Sequence, residues 1–157
     1  MGMQSRRGFT LVELMVTIAV VAILAMIAAP SFTVIIARQQ LNKAVRDLGT
    51  TLSEARSQAI LLRKDVTLTL NSAAMNTKDN FYWQPYSDYS TDDVNMRAKN
   101  NKLTSTTTTL TFTYTGAVKN TTTDTDFVVC NPIARVSKTL SVSRSGIQIY
   151  KADGTCS

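Results

Sequence analysis

The sequence predicts an α+β fold, one long N-terminal helix packed on antiparallel β-sheets. Three observations predict it. Residues 11–29 read LVELMVTIAVVAILAMIAA, an apolar block whose only charge is Glu13. Apolar residues then recur in steps of three and four as far as Leu62. Beyond Asp65 the spacing changes to two, the period of strands with one dry and one wet face.

The first helical segment, Phe9 to Ile36, has 28 residues. As a helix it is about 42 Å long, against roughly 30 Å of bilayer hydrocarbon. Arg6 and Arg7 precede it and fit a cytoplasmic flank, which leaves the polar remainder of the chain outside. A secretory signal peptide requires a small-x-small cleavage site after a shorter apolar core, and none is clean here. Ser5-Arg6-Arg7-Gly8-Phe9 also fits a twin-arginine signal. Neither reading needs Glu13, and an intramembrane carboxylate costs roughly 2.5–3.5 kcal/mol on insertion scales, so it calls for a partner.

The second helical segment places Leu41, Ala44, Val45, Leu48, Leu52, Ala55, Ala59 and Leu62 on one stripe, with Arg38, Lys43, Arg46, Glu54 and Arg56 between them. Gly49 reads as a mild internal weakness. Arg63-Lys64-Asp65 reads as the helix end, with cations near the negative pole of the dipole.

Strands are expected at Val66–Leu70, Leu110–Tyr114 and Phe127–Cys130, and at Leu140–Val142 and Ile147–Ile149 around a turn at Arg144-Ser145-Gly146. Residues 71–103 are less regular and hold Phe81, Tyr82, Trp83, Tyr86 and Tyr89, either a peripheral core under a loop or an exposed contact patch. The repeated Thr of 104–125 reads as the solvated face of strands.

Composition excludes most catalysis. The chain has 157 residues, 17 Lys and Arg against 11 Asp and Glu, two Cys and no His. Without His there is no Ser-His-Asp or Cys-His nucleophile of the usual kind and no His-based metal site. The Gly residues are scattered singly, so no phosphate loop is present. Asp79, Asp88, Asp92, Asp93, Asp124 and Asp126 sit among Asn, Thr and Ser, as solvated loop carboxylates do. Neither an enzyme nor a bound cofactor or metal is expected. Cys130 and Cys156 form an even pair in a part of the chain expected outside the cytoplasm, where a disulfide is the natural reading and two independent thiols the alternative.

The ordered run Arg7-Gly8-Phe9-Thr10-Leu11-Val12-Glu13-Leu14 resembles the leader and helix start of type IV pilins and pseudopilins. The resemblance implies a pilin fold whose helix has a protruding membrane half and an amphipathic half. It implies a leader at 1–8, a transmembrane and assembly segment at 9–36, and a periplasmic globular domain at 37–157. Prepilin peptidase cuts after the glycine in that family, here between Gly8 and Phe9, and the new N-terminal residue, Phe9, is N-methylated. The family's glutamate corresponds to Glu13 and its helix-kinking proline to Pro30. Glu13 of one subunit can then pair with the N-terminal amine of a neighbour, neutralising two charges in an apolar bundle. The partners implied are other major and minor pilins through the N-terminal helix, the peptidase, an inner-membrane assembly platform and the inner membrane. The chain is expected there as a single-pass protein before it enters the pilus.

Leu52-Ser53-Glu54-Ala55-Arg56-Ser57-Gln58-Ala59-Ile60, followed by Val66-Thr67-Leu68, resembles the H-type pseudopilin branch, which includes FimT- and FimU-like minor pilins. The resemblance implies a minor pilin in pilus assembly or priming, serving twitching and DNA uptake. Two other roles stand beside it: a DNA receptor in transformation and an H-type pseudopilin of type II secretion. DNA-binding members carry Gly-Arg-x-Arg in the C-terminal strand, where this chain has Gly146-Ile147-Gln148-Ile149. Arg135, Lys138, Arg144 and Lys151 lie close by in sequence and offer a phosphate-contacting patch only if strands bring them together. Losing Arg6 and Arg7 with the leader leaves 15 basic residues against 11 acidic, a mild +4. Duplex DNA binding is therefore expected to be weak or absent at physiological salt.

Overall fold

The computed structural model describes residues 9–72, 74–85 and 100–156, apart from the side chains of 27–31. They form two units divided between Val34 and Ile35. Helix α1 spans Leu11–Leu62. It begins where it does because Thr10 caps it: the Glu13 N–H donates to Thr10 Oγ1 at 3.2 Å, and the Leu14 N–H to the Thr10 carbonyl at 3.2 Å. Thr10 and Glu13 stand at capping-box spacing, a signal present in the sequence that the pattern of apolar residues does not reveal.

In the first unit every described side chain from Phe9 to Met26 is exposed. Among the described residues no helix is long and apolar enough to cross a membrane. The fully described apolar block, Leu11–Met26, rises about 24 Å at 1.5 Å per residue, short of the hydrocarbon thickness. The apolar run of the sequence continues into 27–29, whose side chains lie outside the described residues.

In the second unit the helical stripe is the floor of the core. Leu41, Ala44, Val45, Leu48, Leu52, Ala55 and Ala59 are all buried. Leu62, expected on the same stripe, is 37% exposed because α1 ends there. Arg63 takes a left-handed φ of 52°, and the Arg63 and Lys64 N–H groups donate back to the Ile60 and Ala59 carbonyls. This is a Schellman end with arginine where glycine is usual. Lys64 pairs with Asp79 instead of lying in the last turn, so the expected dipole contact is replaced by an ion pair.

Two sheets cover the helix. Strands β1 (Val66–Leu70), β2 (Asn80–Trp83) and β4 (Thr109–Phe112) form one, in the order β2-β1-β4. Strands β3 (Lys102–Leu103), β5 (Thr125–Asn131), β6 (Val136–Val142) and β7 (Gln148–Tyr150) form the other in the order β3-β5-β6-β7, and β8 (Gly154–Thr155) also pairs with β6. Pairing is antiparallel as expected, except that β1 and β2 run parallel with Leu68 opposite Phe81. Strand β2 enters beside the start of β1, where the Thr67 N–H donates to the Asp79 carbonyl. Val66, Leu68 and Leu70 face the core while Thr67 meets Thr111 on the half-buried face, which is what the threonine alternation encodes. Phe81 and Trp83 are buried in the core, so this part of the aromatic cluster is core; Tyr86 and Tyr89 lie outside the described residues.

Candidate assembly site

The helix start offers an unusual surface for a water-facing protein. Phe9, Leu11, Val12, Leu14, Met15 and Val16 are each more than half exposed, and Glu13 is the one charge among them. Thr17 Oγ1 donates to the Leu14 carbonyl at 2.8 Å, so its hydroxyl needs no water. Apolar side chains on all sides of a helix call for an apolar environment. Gly8 lies outside the described residues, as does the side chain of Pro30; α1 continues through position 30.

Further along α1, Arg56 joins the helix to both sheets. Its Nε donates to the Gly116 carbonyl at 3.0 Å and its Nη2 to the Ser145 carbonyl at 3.1 Å. Gly116 and Gly146 hold φ of 79° and 77°. A Cβ on Gly116 would come within 2.8 Å of Ile60 Cδ1, and one on Gly146 within 2.8 Å of Arg56 Nε. Both glycines thus serve the turns and the close approach of the guanidinium. Arg56 is a structural residue that ties the helix to two turns.

The helix runs through Gly49, and β7 meets α1 there. Gln148 Nε2 donates to the Gly49 carbonyl and to Ser53 Oγ, each at 3.0 Å, and a Cβ on Gly49 would collide with the Tyr150 hydroxyl. A side chain at position 49 would have to displace the tip of the exposed Tyr150. The stretch Gly146-Ile147-Gln148-Ile149 therefore spends its one polar side chain, Gln148, on the helix.

The four cations considered for DNA do not converge. Arg135 precedes β6 and Arg144 follows it, so seven strand residues, about 23 Å, lie between them. Lys138 Nζ bonds Asp153 at 2.6 Å and Lys151 Nζ bonds Asp126 at 2.6 Å. Lys151 and Ser141 beside Asp126 hold its carboxyl below the ordinary carboxylate value. Arg144 is exposed on a shallow cavity with Asp124.

Cys130 and Cys156 are joined in a disulfide with Cα atoms 5.5 Å apart. It ties the C-terminal segment to the end of β5, and the Cys156 N–H also donates to the Arg135 carbonyl. No group of three or more acidic or cysteine side chains is placed to hold a metal among the described residues.

Comparison with known proteins agrees with this arrangement. Residues 3–29 match the prokaryotic N-terminal methylation motif, and residues 44–146 match the type II transport protein GspH family. A fimbrial protein of Pseudomonas aeruginosa is 41% identical over 64 residues, 41% of each chain. The fimbrial protein EcpB of Eikenella corrodens is 42% identical over 55 residues, 35% of each chain. The chain thus matches well under half the length of these relatives. The crystal structure of the type IV minor pilin FimU of Pseudomonas aeruginosa superposes with a TM-score of 0.52 at 20% identity, over 76% of this chain and 97% of that one, and so shares the fold. With two thirds of its length inside that family model and the methylation motif at its N-terminal end, the chain belongs to the type II transport protein GspH family.

Proposed function

We propose that the chain is a minor type IV pilin that takes part in assembling or priming the pilus. In this reading prepilin peptidase cuts between Gly8 and Phe9, Phe9 is N-methylated, and 9–36 holds the protein in the inner membrane with 37–157 in the periplasm. The assembly platform then moves it into the filament, where its helix packs among other pilin helices. The observation that carries the reading is the apolar surface of Phe9–Met26 with the single carboxylate of Glu13, inside a segment that matches the methylation motif. Lipid and then neighbouring helices are the environments that suit such a surface, and a neighbour's terminal amine suits the carboxylate.

Gly8→Leu tests the processing step. Mass spectrometry of membrane protein should find N-methylated Phe9 at the terminus of the parent and the full leader on the variant. An unmethylated parent N-terminus elsewhere in the chain sinks the reading.

The match to a type II transport family favours a second role, a subunit of the secretion pseudopilus. Deleting the gene and scoring twitching, transformation and exoprotein secretion side by side separates the two. A receptor for DNA is the least supported role, since Lys138 and Lys151 are paired with carboxylates and β6 holds Arg135 away from Arg144.

A further inference from the structure

We infer that the end of the second unit nearest Ile35 carries a lipid-headgroup site, built from Arg38 on α1, Arg135 at the β5–β6 turn and Lys138 on β6. The inference rests on the membrane anchoring proposed above and adds a second contact with the same bilayer.

The turn is fixed to the beginning of the unit by buried polar side chains. Asn101 Nδ2 donates to the Gln40 carbonyl at 3.3 Å, and Asn131 Nδ2 donates to Asn101 Oδ1 at 2.7 Å. Asn131 Oδ1 then accepts the Ile133 and Ala134 N–H groups, each at 3.0 Å. Asn101 and Asn131 are fully buried, so this chain of bonds holds residues 131–134 against the sixth residue of the unit. The disulfide and the Cys156 N–H bond to Arg135 hold the turn from its other side.

The side chains this presents are two bare cations and an apolar tip. Arg38 and Lys138 line one cavity of about 230 Å³ with Val136 and Asp153. Asp153 is the carboxylate in that lining and bonds Lys138, while Arg38 and Arg135 have no ion pair among the described residues. Arg135 is exposed at a left-handed φ of 52°, next to the exposed Ile133 at the tip of the turn. In sequence Arg38 comes two residues after Ile36, where the apolar run ends, about 3 Å further along a helix. That is headgroup depth, where a guanidinium meets phosphate in bidentate geometry and an isolated aliphatic side chain enters the interface. Elsewhere on the unit Lys64 pairs with Asp79, Lys119 with Asp65 and Lys151 with Asp126, while Arg63 and Arg144 stand singly among the described residues at the opposite end.

The occupant that fits is the phosphodiester of an anionic phospholipid in the leaflet that faces the domain. Such a contact holds the globular unit down on the membrane before assembly and must break when the subunit is lifted into a filament.

The test is amide hydrogen exchange on the full-length chain in nanodiscs of phosphatidylcholine and of phosphatidylcholine with phosphatidylglycerol. Protection at 131–136 should be about fivefold greater with phosphatidylglycerol for each cation engaged, with the core strand β1 unchanged. Arg38→Gln with Arg135→Gln should abolish the difference while leaving retention in the disc intact. Inorganic phosphate added to phosphatidylcholine discs should not reproduce the protection. Equal exchange in the two lipids, or protection produced instead by free phosphate or by duplex DNA, overturns the headgroup site alone. Failure of the parent chain to stay in either disc overturns the anchoring and the headgroup site with it.

Discussion

The Arg56 guanidinium donates to the Gly116 carbonyl across 60 residues of chain, and this one bond locks the helix to the turn that follows β4. A second arm of the same group reaches Ser145, so a single side chain holds both sheets. Hydrogen bonds from a charged donor contribute about 1.5–3 kcal/mol each, less where water competes. Arg56→Ala should therefore destabilise the unit from Ile35 onward by about 2–3 kcal/mol. Arg56→Lys should recover only part of this, because an ammonium lacks the fork that serves two carbonyls. Urea unfolding measures both. A loss below about 0.5 kcal/mol for Arg56→Ala removes the clamp from the account.

Reduction of the Cys130–Cys156 bridge, or Cys130→Ser with Cys156→Ser, should lower stability by about 3 kcal/mol in the chain-entropy model. The bridge closes a loop with a sequence separation of 26. The loss should appear first as faster amide exchange in β8 and at Arg135, next to the bridge. Uniform loss of protection across β1 and β4 instead would show that the tail is not the element being held.

Asp126 sets a pH dependence. Lys151 and Ser141 lower its pKa from the ordinary 3.8. A folded-state pKa below the unfolded one gives stability that is fully present above the unfolded value and lost as pH falls through the folded one. The Asp126–Lys151 contribution should thus persist at neutral pH and fade only in acid below about 4. Carboxyl NMR should find the Asp126 midpoint below the ordinary value, and Lys151→Met should return it upward. A midpoint unmoved by Lys151→Met excludes the ion pair as the cause.

Glu13→Leu separates capping from assembly. The cap needs the backbone N–H of residue 13 and Thr10 Oγ1, so the helix start survives the substitution. Membrane retention and processing should match the parent, and recovery in sheared filaments should drop severalfold. Wild-type recovery shows that the carboxylate has no part in packing beside a neighbour.

The architecture was legible where burial imposes a period. Leu41 to Ala59 in steps of three and four became the buried helix face, and Val66-Thr67-Leu68-Thr69-Leu70 became β1 with the expected faces. The N-terminal motif was legible because its residues are contiguous. What stayed hidden depends on contacts between distant residues of unremarkable type. Gly49 reads as a weak helical position until Tyr150 and Gln148 are seen against it. Asn101 and Asn131 look like loop residues, yet they form the buried polar link to Gln40. The parallel pairing of β2 with β1 has no periodic signal in the sequence between them. Sequence proximity overstated the grouping of Arg135, Lys138, Arg144 and Lys151, since a straight strand carries its two ends apart.

Gln148 reaches Gly49 across 99 residues, and Arg56 reaches Ser145 across 89. The first element made is thus closed by nearly the last. A chain made only as far as β4 has the stripe Leu41–Ala59 but none of the partners supplied by β5, β6 and β7. Contacts of such high sequence separation fold slowly. During that interval a sticky helix face stands open to any other apolar surface nearby. Folding of this unit is consequently a race between completing the C-terminal strands and premature association of the open helix face.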